Sequence, residues 1–160
     1  MLKTVLFTVL FAAQSVFAGF AAFPSKPEFS HTPGETCERP STYRYPERIA
    51  YCERDVDSET KRAIIAEYDR AFGYKIRTMP RNKFKIDHYI PLCMGGSNRV
   101  ENLWPQHESV YKITDPLEAL LCQKMAEGVL KQADAIDMIK RAKNNLNEAQ
   151  EIFRRAQDLH

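Results

Sequence analysis

Asp87 and His88 stand side by side in KIDHYIPLCMGGSNRVENLWPQH, a stretch that adds Pro91, Gly95-Gly96, Asn102 and a second histidine, His107. The adjacent pair covers two halves of a hydrolysis. Neutral imidazole takes up a proton near pH 7, so His88 suits a general base. A carboxylate is a hard ligand, so Asp87 suits a divalent cation. Neighbours on a regular strand point to opposite faces, so the two can serve one site only if the strand ends or distorts there. Pro91, which cannot donate a ladder bond, and the glycine loop are expected to supply that distortion.

The elements around the pair follow from local pattern. FKIDHYIPL is rich in β-formers and reads as a strand, CMGGSNRVEN as a loop, and LWP as a short second strand closed by Pro105. Two helices are expected next: a short one from near Gln106, then one from Asp115, with Pro116 at its first position, to about Glu127. Upstream, DSETKRAIIAEYDRAFGY predicts a helix capped by Asp57 or Ser58 and stopped by Gly73. From about Lys131 onward, Ala133, Ile136, Ile139, Ala142, Leu146, Ala149, Phe153 and Ala156 form one helical stripe, with Asn144-Asn145 able to break it.

Strand, loop, strand and helix, with Asp87-His88 at the end of the first strand, resembles the HNH nuclease family, the ββα-metal or His-Me finger. The resemblance rests on Asp87-His88, Ile90-Pro91, Gly95-Gly96 and Asn102-Leu103, extends through NLWPQ, and continues into Asp115, Leu117 and Glu118. It covers roughly residues 84–140. It implies an α+β fold, mostly helical overall, with the finger surrounded by helices and stapled by disulfides. It implies a metal-dependent endonuclease that hydrolyses phosphodiester bonds of DNA, with RNA second. His88 would be the base, Asp87 a ligand of one divalent ion (Mg²⁺, Mn²⁺ or Zn²⁺), and Asn102 the amide that braces the loop carrying His88. The family's second ligand, His or Asn, falls at Tyr111 here, a poor ligand; His107 is the expected substitute, with Glu108 and Asp115 behind it. That departure leaves an inactive binding or structural protein on the same fold as the alternative, and a nuclease toxin or effector as a third reading. Trp104 reads as core beneath the loop, and His31 and His160 as solvent-exposed.

The rest of the chain sets the context. Residues 1–18 have the charged start, apolar run and small-residue end of a secretory signal peptide, so the mature chain would begin near Gly19 and act in the periplasm or outside the cell, with no membrane span. Residues 19–55 form an irregular arm, 56–143 the nuclease-like domain and 144–160 a helical extension. Cys37, Cys52, Cys93 and Cys122 suit two disulfides in such a compartment. Of the three connectivities, Cys37–Cys52 and Cys93–Cys122 are expected, because each encloses one local unit; no CxxC pair supports zinc. The formal net charge is +2, or +1 once Lys3 leaves with the signal (22 basic against 21 acidic residues), so no strong general attraction to polyanions is expected. Nucleic-acid contact must come from a local patch, and Arg77, Arg81, Lys83 and Lys85 are the expected phosphate contacts.

Overall fold

The computed structural model describes residues 21–160, so the proposed signal peptide lies outside the described residues. The fold is α+β: helices α1 (Ser58–Phe72), α2 (Glu108–Ala126), α3 (Gln132–Asn144) and α4 (Leu146–Gln157) accompany two small antiparallel sheets. One sheet is the hairpin β1 (Thr42–Arg44) and β2 (Ile49–Tyr51); the other pairs β3 (Phe84–His88) with β4 (Leu103–His107).

Helix α1 begins and ends as its sequence dictates. The Asp57 carboxylate accepts from the Thr60 amide at 2.7 Å, and Gly73 closes the helix in the left-handed region at φ 72°. Ile64, Ile65 and Tyr68 turn inward against Phe84, Ile86 and Leu103 of the β3–β4 hairpin. A second apolar cluster joins Leu117, Leu121 and Met125 of α2 to Ile139 of α3 and Ile152 of α4. The last helix therefore packs into the core rather than projecting from it.

Three local expectations are corrected. Helix α2 is one helix, not two: it runs through Asp115 and Pro116. Proline forgoes one ladder bond there, but Val110, Thr114, Leu117 and Leu121 form one continuous buried stripe, which outweighs the local break signal. The second strand continues past Pro105 to His107. The arm contains a hairpin, and its upstream part crosses the β3–β4 loop: Thr36 bridges Gly96, the Cys37 amide donates to Gly95 O at 2.7 Å and the Ser97 amide to Glu35 O at 3.0 Å.

Disulfides join Cys37 to Cys52 and Cys93 to Cys122, with Cα–Cα separations of 5.7 and 5.9 Å. The first closes the arm on itself; the second ties the β3–β4 loop to α2. Gly96 lies where the loop doubles back. A Cβ there would meet Ile90 O at 1.8 Å and Asn102 Nδ2 at 2.9 Å, whereas one at Gly73 meets nothing within 4 Å. Gly96→Ala is expected to cost at least about 3 kcal/mol of unfolding free energy, against about 1 kcal/mol for Gly73→Ala, whose cost is only its left-handed backbone. Denaturant unfolding of the two variants checks this; equal losses would contradict the close approach.

Candidate functional site

The β3–β4 loop is held from within by one side chain. Asn102 is fully buried; its Oδ1 accepts from the Ile90 amide at 2.8 Å, and its Nδ2 donates to Ile90 O and Ser97 O, both at 2.9 Å. All three bonds cross the loop, so the amide fixes the backbone that follows His88. Trp104, beneath it, is fully buried.

The strand itself does not distort at the Asp-His pair. Asp87 pairs with Trp104 and His88 with Leu103 in an unbroken register, and the Tyr89 amide continues it to Asn102 O at 2.7 Å. The two side chains accordingly leave on opposite faces, and the shared site expected from the sequence is replaced by two environments.

On one face, His88 is 3% exposed and its Nε2 lies 3.0 Å from Asn98 Oδ1. Asn98 donates through Nδ2 to Glu53 O at 2.6 Å, so its oxygen is the atom turned to the imidazole. The proton therefore sits on Nε2, and Nδ1 is the acceptor. Arg54 lies on the same side and donates to Ile86 O at 3.0 Å. Burial lowers the His88 pKa to about 4; the Asn98 bond opposes the shift and the Arg54 charge reinforces it. The folded chain thus binds fewer protons at His88 than the unfolded chain, whose histidine titrates near 6.5. The resulting stabilisation is complete above about pH 6.5 and is lost as pH falls toward 4, up to about 3 kcal/mol. Unfolding measured in chelator from pH 7.5 to 4.5 is expected to show this loss, and His88→Asn to flatten it.

On the other face, Asp87 joins Asp115 and Glu118 of α2, with one oxygen of each within 4.8 Å of the others. Two lysines enter this cluster. Lys85 Nζ contacts Asp115 at 2.7 Å and Asp87 at 3.6 Å. Lys143 of α3, 0% exposed, donates to His88 O at 2.6 Å and lies 3.4 Å from both Asp87 and Glu118. Burial pushes the Asp87 pKa upward, but the Lys143 and Lys85 charges outweigh it, and the net shift is down. For Lys143, burial favours the neutral amine, and Asp87 with Glu118 outweighs it, so the ammonium is held charged. Burial raises the pKa of Glu118. The oxygen donors are of the kind a hard cation takes, but two ammonium groups already supply most of the positive charge. Nothing in the sequence pointed to Lys143; its one signal is its position beside Ala142 on the inward stripe of α3.

Other expected site residues lie elsewhere. His107 pairs with Phe84, so it sits roughly 10 Å along the hairpin from Asp87 and on the opposite face. It caps α2, its Nδ1 accepting from the Ser109 amide at 3.2 Å, and its ring stacks on Phe23 at 3.9 Å. His107 is therefore a helix cap and not a partner of Asp87. His31 is half-buried, not free in solvent, and contacts Glu67 at 3.1 Å. The basic run does not form one track either. Lys83 pairs with Glu108 at 2.5 Å, Lys85 is held by the carboxylates above, and Arg77 pairs with Asp69 at 3.2 Å. Arg81 donates to the Phe84 carbonyl at 3.0 Å. Among the described residues no helix is long and apolar enough to cross a membrane. No family model, curated protein or solved structure matches the chain.

Proposed function

We propose that this chain is a metal-dependent endonuclease of the HNH kind, hydrolysing phosphodiester bonds of DNA ahead of RNA in the periplasm or outside the cell. One observation carries the reading: Asn102 closes the loop between two paired strands and fixes the backbone next to His88, whose imidazole is oriented by Asn98. This is the arrangement the sequence resemblance implies for a base on a braced loop. The two disulfides suit an oxidising compartment.

In this reading His88 Nδ1 takes a proton from water as the water oxygen bonds to phosphorus. The bond from phosphorus to the leaving oxygen breaks, and solvent protonates that oxygen. Asn98 keeps the other imidazole proton on Nε2, so the acceptor lone pair is ready before substrate arrives. Arg54, on the same side, stands as a cation for the phosphate. Asp87, Asp115 and Glu118 are the residues to hold a divalent cation, in place of the expected Asp87 and His107. Bound there, on the face opposite His88, such an ion would tie β3 to α2 and so steady the strand that carries the imidazole.

A second reading is favoured by one observation: Lys143 already fills the carboxylate cluster, and Asp87 faces away from His88. On that reading the fold is a binding scaffold without hydrolytic activity. Manganese binding by calorimetry, beside cleavage of labelled DNA and RNA, separates the two. Asp115→Asn and Glu118→Gln are expected to weaken manganese binding, and His107→Ala to leave it unchanged. No binding and no cleavage would support the scaffold.

A further inference from the structure

Between α1 and the start of β3 lies a cavity of about 400 Å³. Ile65, Met79 and Phe84 supply apolar walls, and Arg62, Arg77 and Arg81 contribute cations. The volume is within the range of about 300–1,000 Å³ typical of small-ligand sites. The arginines differ in availability. Arg77 is engaged by Asp69, and Arg81 uses Nη1 on a backbone carbonyl, leaving its other donors. Among the described residues neither Arg62 nor Arg81 has a carboxylate in an ion pair, and both are exposed.

Position along the strand gives the cavity its meaning. Phe84, Ile86 and His88 alternate onto one face of β3, so the cavity and the imidazole share a side, separated by roughly 13 Å. Arg54 stands between them at Ile86 O. Arg54 and Arg81 bond alternate carbonyls of β3, at Ile86 and Phe84, and Arg62 of α1 lines the cavity with Arg81, whereas Lys83 and Lys85 are neutralised by α2. An apolar cavity alone suits many ligands. An apolar cavity that also has two arginines without carboxylate partners in its lining suits a flat ring with a polar edge and an anion on either side, which is a nucleobase in its chain. The base's faces would meet Met79 and Phe84, and its flanking phosphates the guanidinium groups.

We propose that this cavity is a subsite for an unstacked nucleobase of a single-stranded nucleic acid, with the adjoining phosphates held by Arg62 and Arg81. The inference rests on the nucleic-acid reading of the His88 face and adds to it a strand preference. A base must leave its stack to enter, and a duplex opposes that by a few kcal/mol per base. Single strands are therefore bound more tightly than duplexes of the same sequence.

The test is fluorescence anisotropy of labelled single-stranded and duplex oligonucleotides in chelator, across a salt series, with the oxidised chain. The wild type is expected to prefer the single strand. Arg62→Ala and Arg81→Ala are each expected to weaken binding and to reduce the slope of log affinity against log salt by about 0.7. Met79→Trp, which fills the cavity, is expected to remove the single-strand preference, while Lys112→Ala changes nothing. Circular dichroism verifies folding of each variant. Equal single-strand affinity and salt slope in the Arg62→Ala/Arg81→Ala double variant would overturn the proposal, as would tighter binding of the duplex. Binding of oleate but of no oligonucleotide would overturn it too. A chain that binds single strands through the cavity but cleaves nothing keeps the subsite and sinks the hydrolytic reading. A chain whose cavity variants bind and cleave like wild type does the reverse.

Discussion

If the chain hydrolyses DNA as proposed, replacing His88 by alanine is expected to lower the rate of cleavage by about 10²–10⁴-fold while leaving the chain folded at neutral pH. The size follows from the role. A positioned base removes the cost of making hydroxide in bulk water, and no other imidazole among the described residues can take its place: His107, on the same face but roughly 13 Å along the strand, is committed to capping α2, and His31 lies against α1 with Glu67. Asn98→Ala should fall between wild type and His88→Ala, because it leaves the imidazole in place but frees its tautomer. Cleavage rates on plasmid DNA at fixed Mn²⁺ check both. A deficit in Asn98→Ala with none in His88→Ala would remove His88 from the chemistry.

Lys143→Met destabilises the fold by about 3–5 kcal/mol, the range found when one partner of a buried ion network is removed. The methionine fills most of the space, so the loss is electrostatic. Asp87 and Glu118 lose their buried cation, and His88 O loses a donor at 2.6 Å. Adding Glu118→Gln to Lys143→Met should restore part of the loss, since one uncompensated carboxylate disappears. Lys143→Arg should not rescue, because a planar fork does not replace a compact ammonium among three acceptors. Denaturant unfolding in chelator measures all of these. A loss below about 1 kcal/mol in Lys143→Met would mean that the network carries little of the fold's stability.

What could be read from the sequence was local. The Asp57 cap and Gly73 stop of α1, the strand over Phe84–His88 and the core role of Trp104 each depend on neighbours in the chain. The disulfide pairing was legible because each bridge closes a local unit. Most departures came from tertiary packing. Pro116 looked like a helix start, but the buried stripe on α2 carries the helix through it. The short β1–β2 strands have no periodicity long enough to detect, and their turn places Tyr45 and Arg48 at positive φ without glycine. Lys85 read as a free cation because Asp115, its partner, arrives from α2. The residue types of the Asp87-His88 pair suggested a shared site; that an unbroken ladder would send the two to different faces was not legible, because register is set by the partner strand.

The most direct measurement is conversion of supercoiled plasmid to open circle by the purified, oxidised chain in Mn²⁺, with and without chelator, beside folded His88→Ala. The expected result is nicking by the wild type that chelator stops and His88→Ala reduces by at least about a hundredfold. Undiminished nicking by His88→Ala, or no cleavage of DNA or RNA with Mg²⁺, Mn²⁺ or Zn²⁺, would contradict a hydrolytic site at His88.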